Sequence, residues 1–130
     1  MRCKELGIPT LVWMTPILPF INDTRENIEG LLDYCLLAGV QGILVFDVGV
    51  TLREGDREYF YQALDRDFPS IRQKYISTYG NAYDIPSPYA KELMALIQNT
   101  CVANGMLCSP KECFTYLHEF PERYVQQTLF

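Results

Sequence analysis

At 130 residues, 48% hydrophobic and 21% charged, the chain suits one globular domain with a modest core and is too apolar to be disordered or fibrous. No apolar run approaches the roughly twenty residues of a membrane span, and residues 1–5 lead into no signal-peptide stretch, so a cytoplasmic location is expected. A net charge of −5 argues against a sequence-independent grip on nucleic-acid phosphates, and five cysteines without a secretory signal read as reduced thiols rather than a disulfide framework.

In chain order, residues 2–6 read as the last turn of a helix closed by Gly7, so the chain is expected to begin in mid-architecture. A strand follows over 10–14. Asp23 with Glu26 three residues on makes a capping box, and Ile28, Leu31, Leu32, Cys35 and Leu36 line one helical face until Gly39 ends the helix. Residues 42–47 give a second apolar strand; a helical crossover makes the two strands parallel and the connection right-handed. Beyond it the pattern turns helical. Tyr59, Phe60, Ala63 and Leu64 share a face over 56–66, Ser70 caps a helix to about Tyr79, and Ser87-Pro88 opens one carrying Leu93, Leu96, Ile97 and Cys101. Residues 106–108 suit a short strand, and Ser109-Pro110 starts a last helix. With no internal repeat or linker, residues 1–130 are expected to form a single domain.

Both strands run into polar loops bearing Pro or Gly and then into helices, the arrangement by which open α/β sheets and β/α barrels place a site at the carboxyl ends of their strands. The runs TPILPFINDT (15–24), GVTLREGDREYFYQALDRDFPSIRQKYISTYGNAY (49–83) and SPYAKEL (87–93) resemble the carboxyl-terminal half of radical S-adenosylmethionine enzymes of the spore photoproduct lyase type, the DNA repair photolyase-like family. The resemblance implies an α/β fold, the βαβ portion of a partial, TIM-like radical S-adenosylmethionine barrel with two parallel strands, followed by a mostly helical extension. It further implies S-adenosylmethionine and a [4Fe-4S] cluster as cofactors, with the cluster held by Cys-x3-Cys-x2-Cys thiolates. No such triplet occurs here: Cys101, Cys108 and Cys113 are separated by six and four residues. The chain alone is therefore expected neither to bind the cluster nor to be active, and its first expected partner is the missing amino-terminal half of the barrel. Family members carry a cysteine near the loop position held here by Ile85, which weakens a thiol role for that loop.

Site residues follow from the resemblance and from position. Thr15, Pro16 and Leu18, with Ile17, would approach the adenosyl moiety, and Asn22 would hydrogen-bond it; the plainer reading is that this loop shapes a turn and Asp23 caps the helix. Asp47, Thr51 and Arg53 would face substrate, Arg53 either gripping a carboxylate or phosphate or pairing with Asp47 or Glu54. Among the nine tyrosines, Tyr79 and Tyr83 beside Gly80 and Asn81 are the candidates for a catalytic hydrogen-atom relay, set against ordinary packing between helices. Cys101, Cys108, Cys113 and His118 are a candidate metal or auxiliary-cluster site, set against the plainer reading of core thiols and a surface imidazole, since their spacing matches no compact zinc pattern. The tail Gln126-Gln127-Thr128-Leu129-Phe130 resembles the peptide that docks on the DNA sliding clamp, with Gln126, Leu129 and Phe130 as anchors.

Two functions stand at this level. One is the cofactor-covering and substrate-facing part of a radical S-adenosylmethionine iron-sulfur enzyme acting in nucleic-acid repair or modification. The other is a non-catalytic interaction module that docks on the clamp. An unpaired first strand would also expose the chain to self-association along its edge.

Overall fold

The computed structural model describes residues 1–119. Ten elements follow one another: α1 (Arg2–Glu5), β1 (Leu11–Trp13), α2 (Arg25–Ala38), β2 (Gly42–Leu44), β3 (Gly49–Thr51), α3 (Asp56–Asp67), α4 (Ile71–Tyr79), β4 (Asp84–Pro86), α5 (Ala90–Ala103) and α6 (Pro110–His118). Among the described residues this is a mixed α/β fold with six helices and two small sheets. No helix in it is long and apolar enough to cross a membrane.

The first sheet pairs β1 with β2 in parallel, Val12 opposite Ile43, and α2 is the crossover the parallel pairing requires. On the far side of β2, Leu107 makes a parallel bridge to Gly42, with the Ile43 N–H donating to the Leu107 carbonyl at 2.8 Å. Residues 106–108 thus extend the sheet by a single bridge rather than a full strand. Val12, Ile43 and Val45 face a core built with Ile28, Leu32 and Cys35 of α2 and Leu93, Ile97 and Cys101 of α5. The helical periodicity of α2 and α5 is what puts those six side chains on one side.

The second sheet adds a ribbon that the expected two-strand, mostly helical arrangement does not include. β3 and β4 form an antiparallel ribbon with Val50 opposite Ile85. Residues 49–51 carry the alternation of a strand, but their partner lies beyond two helices, so no local turn signal announces the pairing. Leu52, Tyr61, Leu64, Tyr75 and Ile85 form a second core beneath the ribbon. Tyr61, with the half-buried Phe60, is turned toward this core, whereas Tyr59 is 77% exposed.

Three caps differ from expectation. Thr24, not Asp23, caps α2, its hydroxyl accepting from the Asn27 N–H at 3.2 Å. Asp23 is instead buried and accepts from the Ser87 hydroxyl at 2.5 Å, tying the loop before α2 to the loop before α5. Ser87 therefore makes a turn, accepting from the Tyr89 N–H at 3.0 Å, and α5 starts only at Ala90. Ser70 occupies the N-cap position of α4 at φ 76° without a side-chain cap bond. Ser109 does cap α6, accepting from the Glu112 N–H at 3.1 Å, with Pro110 in the first turn.

Candidate functional site

A cleft of about 400 Å³ opens where β1 and β2 end. Thr15 and Pro16 leave β1 into one wall, joined by a cis peptide bond; Phe46 and Asp47 leave β2 into the floor. The ribbon supplies the opposite wall through Gly49, Val50, Thr51, Asp84, Ile85 and Pro86. Arg57 of α3 stiffens the approach to that wall: its Nη2 donates to the carbonyls of Leu52 at 3.1 Å and Ala82 at 2.7 Å, and its Nη1 to Gly80 at 3.4 Å. A guanidinium is suited to this because its donors point in a fixed fork.

The expected site residues divide accordingly. Thr15, Pro16, Asp47 and Thr51 line one cleft although they come from two separate junctions. Leu18 and Asn22 do not line it. The Asn22 side-chain oxygen accepts from the Leu18 N–H at 2.5 Å, and its backbone carbonyl accepts from the Asn27 amide at 2.8 Å, so Asn22 closes its own loop. Asn22 borders a separate groove along β1.

Arg53 departs from the ion-pair reading made of it. Among the described residues it forms no ion pair with Asp47 or Glu54; its Nε donates to the Tyr83 hydroxyl at 3.4 Å. The hydrogen bond from Arg53, with a smaller contribution from nearby Thr51, holds the Tyr83 phenol below its ordinary value, because it favours the phenolate. Thr51 lines the cleft, so Tyr83 and Arg53 form a polar step from the cleft wall to the surface. Tyr79 does not line the cleft; it packs against the second core, its hydroxyl donating to the Pro86 carbonyl at 2.5 Å and its ring 5.8 Å from that of Tyr75. Burial pushes the Tyr79 phenol up, so it keeps its proton near neutrality.

Phe46, Asp84 and Pro86 were not singled out by sequence. Phe46 precedes Asp47 at a strand end, which is a usable signal; Asp84 reaches the cleft only because it sits opposite Thr51 in the ribbon. Phe46 is 57% exposed and continues a row of aromatic rings, 5.9 Å from Trp13 and 6.2 Å from Phe114. Asp47 accepts from the Val48 N–H at 2.7 Å.

The described residues do not fit an iron-sulfur cluster. No group of three His, Cys, Asp or Glu side chains among them converges as metal ligands. Cys35, Cys101 and Cys113 are buried in the core, and burial raises the thiols of these three and of Cys108, opposite to what a thiolate ligand needs. His118 is exposed at the end of α6. Gln126, Leu129 and Phe130 lie outside the described residues.

No family model matches the chain, and no solved structure matches it significantly. Uncharacterized proteins of Mycobacterium tuberculosis and Mycobacterium bovis are each 31% identical to it over 90 residues, 69% of this chain and 26% of the relative. The matched stretch thus spans about a quarter of the length of these curated relatives.

Proposed function

We propose that this chain is the carboxyl-terminal part of a radical S-adenosylmethionine enzyme, in which the cleft between the strand ends and the ribbon covers the cofactor and faces the substrate. The observation that supports the reading is the convergence of Thr15 and Pro16 from one junction with Asp47 and Thr51 from the other on a single cleft at the carboxyl ends of parallel strands. Open α/β sheets bind ligands at that end because the loops there are free to vary while the strands hold them rigidly. Thr15, Thr51, Asp47 and Asp84 offer hydroxyl and carboxylate groups to a polar ligand, and Pro16 and Phe46 offer apolar surface to a planar one. The cluster must be held by other residues, since those described here do not fit it. The substrate in this reading is a nucleic acid to be repaired or modified, and its phosphates must be gripped elsewhere, given the net charge of −5.

The test is to express the complete reading frame that contains this sequence, reconstitute it anaerobically with iron and sulfide, and reduce it with S-adenosylmethionine present. Formation of 5′-deoxyadenosine, lowered at least about tenfold by Asp47→Asn or by Thr15→Val, is the expected result. No reductive cleavage by a cluster-loaded protein would refute the proposal.

A further inference from the structure

We infer that the outer edge of β1 and the uncharged outer face of α2 form one docking seam for a parallel strand and its helix, supplied by a further stretch of the same polypeptide. The inference rests on the reading above that the chain is part of a longer enzyme, and it names where the remaining chain attaches.

The backbone supplies the first half of the argument. The Thr10 carbonyl accepts from the Gln41 N–H at 2.8 Å and the Met14 N–H donates to the Leu44 carbonyl at 2.9 Å, so Thr10, Val12 and Met14 turn toward β2. By the two-residue alternation of a strand, Leu11 and Trp13 turn their N–H and C=O groups to the other side, where no strand pairs with them among the described residues. A bare row of donors and acceptors is a template for another strand. Beside it runs a groove of about 210 Å³ walled by Val12, Trp13 and Met14 and, from α2, by Leu31 and Cys35. Such a groove accepts the alternate side chains of an added strand.

The second half comes from α2. At 3.6 residues per turn the helix has three sectors. Ile28, Leu32 and Cys35 face the core, and Arg25, Glu26, Glu29 and Asp33 fall together on a solvated face. The third sector holds no charge: Leu31, Tyr34 and Leu37 are 38%, 74% and 63% exposed there. One apolar side is accounted for by the core; a second requires another partner. Gly30 lies on the same sector in mid-helix, where glycine weakens a helix, and a methyl group built on it would meet nothing within 4 Å. Nothing in the described chain fills the space over Gly30, and its missing side chain leaves room for a helix laid close against this sector.

The occupant follows from continuity and length. β1–α2–β2 is already a parallel strand-helix-strand unit, and a strand added in parallel at β1 brings its own crossover helix onto the third sector of α2. The relatives carry chain for this, since the matched stretch is 26% of their length.

Amide hydrogen exchange on the 130-residue chain and on the polypeptide from the complete reading frame tests the seam. In the longer polypeptide the Leu11 and Trp13 amides should exchange at least about 100-fold more slowly than in the chain alone. Tyr34→Glu should return them to the fast rate while leaving the melting temperature of the isolated chain unchanged. Gly30→Ala should raise that melting temperature yet reduce the protection in the longer polypeptide. Equal exchange in both polypeptides, a reading frame that adds no residues, or protection in the isolated chain that grows with its concentration overturns the inference, the last by pointing to a second copy. Protected amides in a protein that does not cleave S-adenosylmethionine would leave the seam and remove the catalytic reading.

Discussion

Two glycines set how closely the backbone layers of this molecule approach. At Gly42 an added Cβ would lie 2.7 Å from both the Cβ and the carbonyl oxygen of Leu107 and 3.0 Å from Leu11 Cδ2. At Gly49 it would strike the Ile85 carbonyl and come within 2.8 Å of Pro86 Cα. Neither obstacle is a flexible side-chain end, so the backbone itself must move. Gly42→Ala is expected to cost about 1–3 kcal/mol in urea denaturation, the range of an overpacked core, and to speed exchange of the Ile43 amide as its bond to Leu107 opens. Gly49→Ala should cost as much and deform the cleft wall, with nuclear magnetic resonance shifts concentrated at Thr51 and Asp84. Unchanged stability in both variants would show that the layers are looser than these distances imply. A different residue-level tie joins Asp23 to Ser87. Removing the hydroxyl with Ser87→Ala leaves a buried carboxylate without its donor, an expected loss of about 1–3 kcal/mol. An isosteric Asp23→Asn would recover part of that loss in the Ser87→Ala background if the charge is what the hydroxyl serves.

At the scale of elements, the caps separate what was legible in the sequence from what was not. Asp23-x-x-Glu26 looks like a capping box, but the neighbouring Thr24 occupies the cap and frees Asp23 to turn inward toward Ser87, sixty-four positions away. Thr24→Ala should therefore lower stability by about 1 kcal/mol through the fraying of α2, seen as a lost first turn in amide exchange. Asp23→Ala should instead loosen the joint between α2 and α5 with the first turn intact; a frayed α2 in the Asp23 variant would reverse the assignment. The same logic explains the ribbon. The β1–α2–β2 unit was readable because each of its signals lies within a few residues: apolar strands, a cap, a glycine stop. β3 and β4 were not, because each gains its partner only after α3 and α4 have folded back. The cleft was legible by half for that reason. Thr15, Pro16 and Asp47 sit at strand ends that periodicity locates, and Thr51 follows four residues after the second of them, whereas Asp84 and Pro86 enter through a long-range pairing.

For the molecule as a whole, the burial of its titratable groups predicts how it responds to alkali. Desolvation pushes the Cys101 thiol from 9.0 up to about 12, with nearby Cys108 adding to the shift, and it raises Cys35, Cys108, Cys113, Tyr75 and Tyr79 in the same direction. These groups hold their protons more tightly folded than unfolded. Their contribution to stability is complete below the unfolded values and is lost as the pH climbs through the folded ones. Stability should therefore be level near neutrality and fall from about pH 9 upward, by about 1.4 kcal/mol per pH unit for each group that titrates only on unfolding. Cys101 belongs to the core between the parallel sheet, α2 and α5, and Tyr75 to the one beneath the ribbon, so both cores should loosen together. Urea midpoints measured from about pH 7 to pH 11 supply the curve. Cys101→Ala will lower the whole curve through the cavity it leaves, so the informative quantity is the slope above pH 9, which should flatten in the variant. A slope unchanged by that substitution would remove Cys101 from the account, and a curve level to pH 11 would mean that water reaches these thiols and phenols despite their burial.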